Sequence, residues 1–183
     1  MIGAAFGGTL ASARTGDDEA FARIFRDVQP ALLRYLRVIT SDPEDVASET
    51  WVQVVAGLRR FRGEEQDFRA WLFTIARNRA ADAGRSRARR PVVPLDMTEV
   101  AQELTSPDAA DLALETVSTQ ATMAFIRSLP PEQAEIIMLR VVAGLDTGDV
   151  ARIVGKSPGA VRVAAHRGLR RLAGQVARAG VTL

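Results

Sequence analysis

Apolar residues recur along this chain three and four positions apart with polar residues between them, the pattern of helices that turn one face to a core. A ragged Gly and Ala stretch up to about Gly16 lacks that period and reads as unstructured. Phe21, Ile24, Phe25 and Val28 then form a stripe that predicts a helix from about Asp17 to Val28, and Pro30 opens a second one carrying Leu32, Leu33, Leu36 and Ile39. Ser41 and Asp42 before Pro43 supply a capping oxygen and a proline at a helix start, where the missing N–H had no partner anyway. The third helix therefore runs from Glu44 to Leu58, burying Ala47, Thr50, Trp51, Val54, Val55 and Leu58. Its outer face shows Asp45, Ser48, Glu49 and Gln53, with Val52 among them. A polar loop, Arg60 to Asp67, leads into a fourth helix, Phe68 to about Gly84, on the stripe Phe68, Trp71, Leu72 and Ile75.

The second half repeats the logic after a break. Pro91 and Pro94 bracket an extended piece, and the acidic segment to about Pro107 has no period, so it reads as a linker. Ser106 and Pro107 give a second cap-plus-proline signal for a helix from Asp108 to about Ser128, with Leu114, Val117, Ala121, Ala124 and Phe125 inward. Beyond Pro130 and Pro131, a run with Ile136, Ile137, Leu139, Arg140 and Val141 continues until Gly144. A short helix, Thr147 to Val154, buries Val150, Ile153 and Val154, with Asp146 or Thr147 as its cap. Gly155, Lys156 and Ser157 make a turn, and the last helix, Pro158 to about Gln175, sets Val161, Ala165, Leu169 and Leu172 on one face. Arg162, His166, Arg167, Arg170 and Arg171 lie mostly elsewhere. This is a helix-turn-helix whose second helix is a positively charged rod of major-groove width.

The fold class that follows is all-α: two small helical domains joined by a flexible acidic linker. The divisions fall at 1–16 (disordered), 17–90 (first domain), 91–107 (linker), 108–178 (helix-turn-helix domain) and 179–183 (tail). Aromatic content of 5% and the scarcity of alternating stretches argue against a sheet.

Charge sharpens the picture. The net +2 conceals blocks of −3 over residues 1–58, +6 over 59–90, −7 over 91–135 and +6 over 136–183. Two separated basic blocks suit two contact points on a polyanion, and the acidic block between them would be repelled by it. Cysteine is absent, which excludes a disulfide scaffold and a thiolate metal site and fits a reducing cytosol. No stretch has the length of a membrane span and no signal peptide opens the chain, so a cytoplasmic protein without membrane insertion is expected.

Catalysis fits poorly. His166 is the one histidine, set among arginines without a nucleophile beside it, so no enzyme activity, cofactor or metal site is expected. Asp45 and Glu49 share a helical face at i and i+4, which suits a partner-facing surface better than a cation site. The tract Arg85 to Arg90, behind Trp71 and Phe73 on a helix that also carries Arg69, Arg77 and Arg79, is a candidate phosphate-tracking surface.

Taken together and in order, a set of phrases resembles the sigma factors of the sigma-70 type, in the small extracytoplasmic-function group that keeps regions 2 and 4. They are Asp42-Pro43-Glu44-Asp45-Val46 with Ser48-Glu49-Thr50-Trp51, then Phe68-Arg69-Ala70-Trp71-Leu72-Phe73, Ile75-Ala76-Arg77-Asn78 and Asp82. Leu129-Pro130-Pro131-Glu132-Gln133, Gly144-Leu145, Val150-Ala151, Val161-Arg162 and His166-Arg167 follow in the second half. The resemblance implies an alternative sigma factor that binds core RNA polymerase and helps recognise and melt promoter DNA. It assigns polymerase docking to Asp45, Glu49 and Gln53. The start-proximal promoter element falls to Phe61, Arg62, Asp67, Arg69, Arg77, Asn78 and Arg79, with a flipped base held by the loop from Phe61 to Asp67. The upstream element falls to Lys156, Ser157, Pro158, Gly159, Arg162, His166, Arg167 and Arg170. It further implies an anti-sigma protein as a partner and a linker that threads the polymerase's RNA path. Val163 and Ala164 stand where family members often carry a serine or threonine and a second basic residue. The competing reading is a stand-alone helix-turn-helix regulator with a helical dimerisation or sensing domain, which would bind duplex DNA tightly without polymerase.

Overall fold

In the computed structural model, which describes residues 1–89 and 122–178, helices account for most of the described residues and no strand occurs among them. The N-terminal module consists of α1 (Phe6–Arg14), α2 (Asp18–Ile39), α3 (Pro43–Leu58) and α4 (Glu65–Arg89). The C-terminal module contains a helical turn over residues 122–127 (α5), α6 (Pro131–Ile137), α7 (Thr147–Val154) and α8 (Pro158–Arg178). The expected linker, the tail after 178, and Leu114, Val117 and Ala121 lie outside the described residues.

The chain start departs from expectation. A 3-10 turn, Gly3–Ala5, leads into α1, and Phe6, Leu10 and Ala13 of α1 are buried. The Phe6 ring lies 5.6 Å from that of Phe68. With three buried apolar residues over about two and a half turns, the stripe is too brief to show as a period, yet it suffices once α2 and α4 offer a surface.

Pro30 does not divide two helices either. α2 runs through it, capped at its start by Asp17, whose carboxylate accepts the N–H groups of Glu19 and Ala20 at 3.0 Å. An interior proline costs a helix about 3 kcal/mol. The unbroken stripe Ile24, Val28, Ala31, Leu32, Tyr35 and Leu36 is buried on both sides of it, and each isoleucine, valine or leucine among them contributes roughly 1.5–3 kcal/mol. Packing therefore outweighs the local cost.

On α3 the inward residues are Val46, Ala47, Thr50, Trp51, Val54 and Leu58; Val55 is 55% exposed and joins Val52 on the outer face. Trp51 lies against Phe25 (4.9 Å) and Phe21 (5.8 Å), and its indole N–H donates to Gln29 Oε1 at 2.6 Å. Asp42 occupies the cap position without a capping bond, because its carboxylate pairs with Arg87 near the end of α4. α4 begins earlier and ends later than its apolar pattern, and its fully buried residues are Phe68, Leu72, Phe73 and Ala76, with Trp71 and Ile75 half-buried. On α5, Met123 and Ile126 face the core, while Ala124 is exposed and Phe125 half-buried.

α6 widens into a π-helical stretch, Met138–Val142, closed by Gly144 at φ +71. The Arg140 guanidinium donates to the Leu145 carbonyl at 3.0 Å across that bend. Asp146 caps α7 by accepting the Asp149 N–H at 2.8 Å, and Gly155 at φ +68 ends it in the left-handed conformation that glycine adopts without strain. Ser157 Oγ accepts the Ala160 N–H at 3.2 Å, so α8 starts with a capping serine and a first-position proline.

The inward face of α8 is Val161 and Gly168, flanked by half-buried Ala164, Ala165 and Leu172. Leu169 is 50% exposed, contrary to the pattern reading. Gly168 takes its place because α8 approaches α6 there so closely that a Cβ would stand 2.6 Å from Ile137 Cδ1.

The modules touch along α2 and α4. Glu135 of α6 accepts from Arg77 Nε at 2.8 Å and from the Tyr35 hydroxyl at 3.1 Å, with Tyr35 fully buried. Gln66 donates to the Gly144 carbonyl at 3.2 Å, and Arg127 donates to the Arg37 carbonyl at 3.1 Å.

Candidate nucleic-acid and polymerase interfaces

Three surfaces collect the residues singled out by the sequence. On α3, the helical period places Asp45, Glu49 and Gln53 on the outer face, all exposed, with Val52 and Val55 beside them. None of the three polar side chains bonds to another described residue. Two carboxylates and an amide with apolar neighbours, unpaired among the described residues, are suited to a basic partner helix.

The second surface is the loop before α4 and the helix itself. Gly63 adopts φ +145, and a Cβ there would collide with the Asp67 side chain at 2.8 Å. Asp67 uses that space to accept the Glu64 N–H at 2.9 Å, which fixes the entry into α4. Phe61 is half-buried and stacked on Trp71 (5.0 Å, 22°), with Phe68 edge-on at 5.6 Å. Its ring is thus held within an aromatic cluster that shapes the loop. Arg62 folds over the same loop, donating to the carbonyls of Arg59 (2.9 Å) and Phe61 (2.8 Å).

Arg69 is the clear departure. It is 4% exposed, with Nη2 2.6 Å from Asp27 and Nε 3.4 Å from Glu65. A guanidinium enclosed by two carboxylates is a structural tie between α2 and α4 and has no path to a phosphate, so Arg69 leaves the set of DNA contacts. Its register, one position from the apolar Phe68, places it inward. A sequence pattern cannot tell a buried paired arginine from an exposed one. Asn78 is exposed, Arg79 lies 3.8 Å from Asp82, and Arg77 is engaged by Glu135. The basic end of α4 is partly tied down as well, Arg85 to Asp82 and Arg87 to Ser41 and Asp42.

The third surface is the exposed side of α8. Arg162, His166, Arg167 and Arg170 are exposed and form no hydrogen bond or ion pair with other described residues. Pro158 and Gly159 are exposed at the helix start, and Ser157 is committed to the cap. Lys156 pairs with Glu132 at 3.1 Å, a surface contact of little energy that a phosphate could replace. Arg171 is drawn away to Gln133 at 3.1 Å.

Sequence reasoning missed the Tyr35–Glu135–Arg77 cluster. Burial pushes the Tyr35 phenol well above its ordinary range, and the Glu135 carboxylate raises it further by charge and hydrogen bond. Among the described residues there is no group of side chains that could hold a metal and no helix long and apolar enough to cross a membrane.

The same two halves are recognised by comparison. Residues 24–90 match the family model for sigma-70 region 2, and residues 119–172 match that for sigma-70 region 4. The chain is 34% identical to the ECF RNA polymerase sigma factor SigD of Mycobacterium tuberculosis, covering 98% of this chain and 88% of that protein. It is 36% identical to the ECF RNA polymerase sigma factor ShbA of Streptomyces griseus, covering 86% and 87%. Among solved structures, the sigma factor RpoE bound to the anti-sigma factor NepR from Bartonella quintana superposes with a TM-score of 0.60 at 26% identity, over 83% of this chain and 93% of that one. CnrH in complex with the cytosolic domain of CnrY shares the fold, with a TM-score of 0.60 at 23% identity over 95% and 98%. The chain belongs to the extracytoplasmic-function RNA polymerase sigma factors, with region 2 in its N-terminal module and region 4 in its helix-turn-helix.

Proposed function

We infer that this protein is an alternative sigma factor: it binds core RNA polymerase and directs transcription initiation at specific promoters, without being an enzyme itself. The observation that carries the reading is the presence of both sigma regions in order on one chain, with the outward face of α8 cationic and unpaired. Its site of action is the cytoplasm, where polymerase and promoter DNA are found.

Within that function, the exposed face of α3, through Asp45, Glu49 and Gln53, docks on the polymerase, with Val52 and Val55 adding apolar contact. The loop held by Gly63 and Asp67, with Phe61, Arg62, Arg77, Asn78 and Arg79, takes the start-proximal element and an extruded base. Extrusion costs a few kcal/mol, which cationic contacts and a shaped pocket return. Arg77 is held by Glu135 through Nε alone and its side chain is 37% exposed, so its Nη groups can reach DNA while that bond orients the guanidinium. α8 enters the major groove of the upstream element with Arg162 at base edges and His166, Arg167, Arg170 and Lys156 at phosphates. An anti-sigma protein is the expected inhibitor, consistent with the RpoE structure solved with the anti-sigma factor NepR.

Co-elution with purified core polymerase is the test. The intact chain is expected to co-elute, and to hold promoter DNA far more tightly in that complex than alone, since each small module buries too little surface to grip DNA by itself. Tight, specific duplex binding by the free chain, with no polymerase association, would refute the reading.

A further inference from the structure

The outward face of α8 is not uniformly cationic. At 3.6 residues per turn, Val163 lies roughly 200° around the helix from the buried Val161, so it occupies the middle of the face turned away from the core. It is 49% exposed. Around it on the same face stand Gly159 one turn earlier and His166, Arg167 and Arg170 one to two turns later, all exposed. The face therefore has an order: a residue without a side chain at the N-terminal end, an apolar branch next, and cations towards the C-terminal end. The Cβ direction of Gly159 is open apart from Ser157 Oγ at 3.9 Å, and Gly159, Val163 and Arg167 border a groove whose other wall is Pro130, Glu132 and Gln133.

In the major groove each base pair displays hydrogen-bond donors and acceptors, and the thymine C5-methyl is the apolar group among them. Recognition helices present their N-terminal residues to base edges, while cations further along meet phosphates. A valine at the centre of that N-terminal part has no polar atom with which to read an amide, amine or carbonyl. We propose that Val163 is a specificity-determining residue that packs on a thymine methyl in the upstream promoter element. This inference rests on the reading that α8 enters the major groove, and it adds a base identity: a T·A pair at the position facing Val163, next to the pair read by Arg162.

The test uses the reconstituted holoenzyme on a promoter it selects, with each thymine of the upstream element, on either strand, replaced singly by deoxyuridine. That change removes the methyl group and leaves every hydrogen-bonding edge intact. One position is expected to lower initiation by about fourfold, the equivalent of one buried methyl group. In V163A that same position is expected to become indifferent to the replacement, while initiation on the thymine promoter falls to the level the wild type shows on deoxyuridine. Val163 is half exposed and alanine favours helix, so the variant retains its fold. If no deoxyuridine position affects the wild type, or if V163A keeps the full penalty, the inference is wrong. Scrambling the whole upstream element separates the two levels. A strong loss on scrambling with no effect of any deoxyuridine overturns the role of Val163 alone, whereas indifference to scrambling overturns groove entry by α8 as well.

Discussion

Truncating Arg69 to alanine separates a structural role from a nucleic-acid role at a residue where the two readings conflict. Its side chain is 5% exposed, between Asp27 at 18% and Glu65 at 14%. Removing one partner of a buried ion pair costs about 3–5 kcal/mol, because the remaining charge is left desolvated. Here the lower end applies. Glu65 retains the N–H groups of Ile2 and Gly3 at 3.1 and 2.7 Å, and the Met1 ammonium stays 2.8 Å from Asp27. At about 3 kcal/mol, with a shift of roughly 4–8 °C per kcal/mol for a module of this size, Arg69→Ala lowers the melting temperature by about 12–24 °C. Thermal unfolding gives that shift and urea titration the free-energy loss, both followed by tryptophan fluorescence, since both tryptophans, Trp51 and Trp71, report on the N-terminal module. The double variant with Asp27→Ala is expected to lose less than the sum of the two single changes, as coupled residues do. A loss below about 1 kcal/mol, accompanied by a drop of about one in the salt slope of promoter binding, would mean that Arg69 meets a phosphate after all.

Three further outcomes follow from the geometry. Tyr35, the single tyrosine, holds its proton more tightly in the folded chain than in the unfolded one, so its contribution is complete below pH ~10 and is lost as pH rises through the raised folded value; tyrosinate absorbance should therefore appear together with loss of helical circular dichroism, and Y35F should abolish that alkaline component. Gly168→Leu drives a side chain into Ile137 and separates α8 from α6, costing about 1–3 kcal/mol and removing dependence on the upstream element in transcription assays. Charge reversal of Asp45 and Glu49 to arginine leaves thermal stability within about 0.5 kcal/mol, as expected for exposed positions, but weakens polymerase binding in a competition assay.

Periodicity was enough to find α3, α7 and α8, because each has a cap, a first-position proline or a terminal glycine at a definite place in the pattern. It failed where tertiary packing decides. Pro30 breaks a helix in isolation, yet one buried stripe runs through it. Leu169 is more hydrophobic than Gly168, yet α6 comes so close at the inward position that a Cβ there would stand 2.6 Å from Ile137 Cδ1. Val55 continues the pattern of its neighbours but is left 55% exposed, and α1 is too short to declare itself before Phe68 is in place. The exposure of the polar side chains on α3 and α8 was legible because charge on an outer face shows in the helical register. Arg69 and the Tyr35–Glu135–Arg77 cluster were not, since pairing between residues 42 to 100 positions apart leaves no trace in local pattern.

The most direct measurement is to reconstitute the chain with core RNA polymerase, transcribe genomic DNA, and map the 5′ ends of the products. The account predicts start sites absent with core alone, clustered downstream of two shared elements, and lost when Asp45 and Glu49 are reversed in charge. Products that begin at the same positions with and without the chain, while the protein is folded and bound, would contradict it.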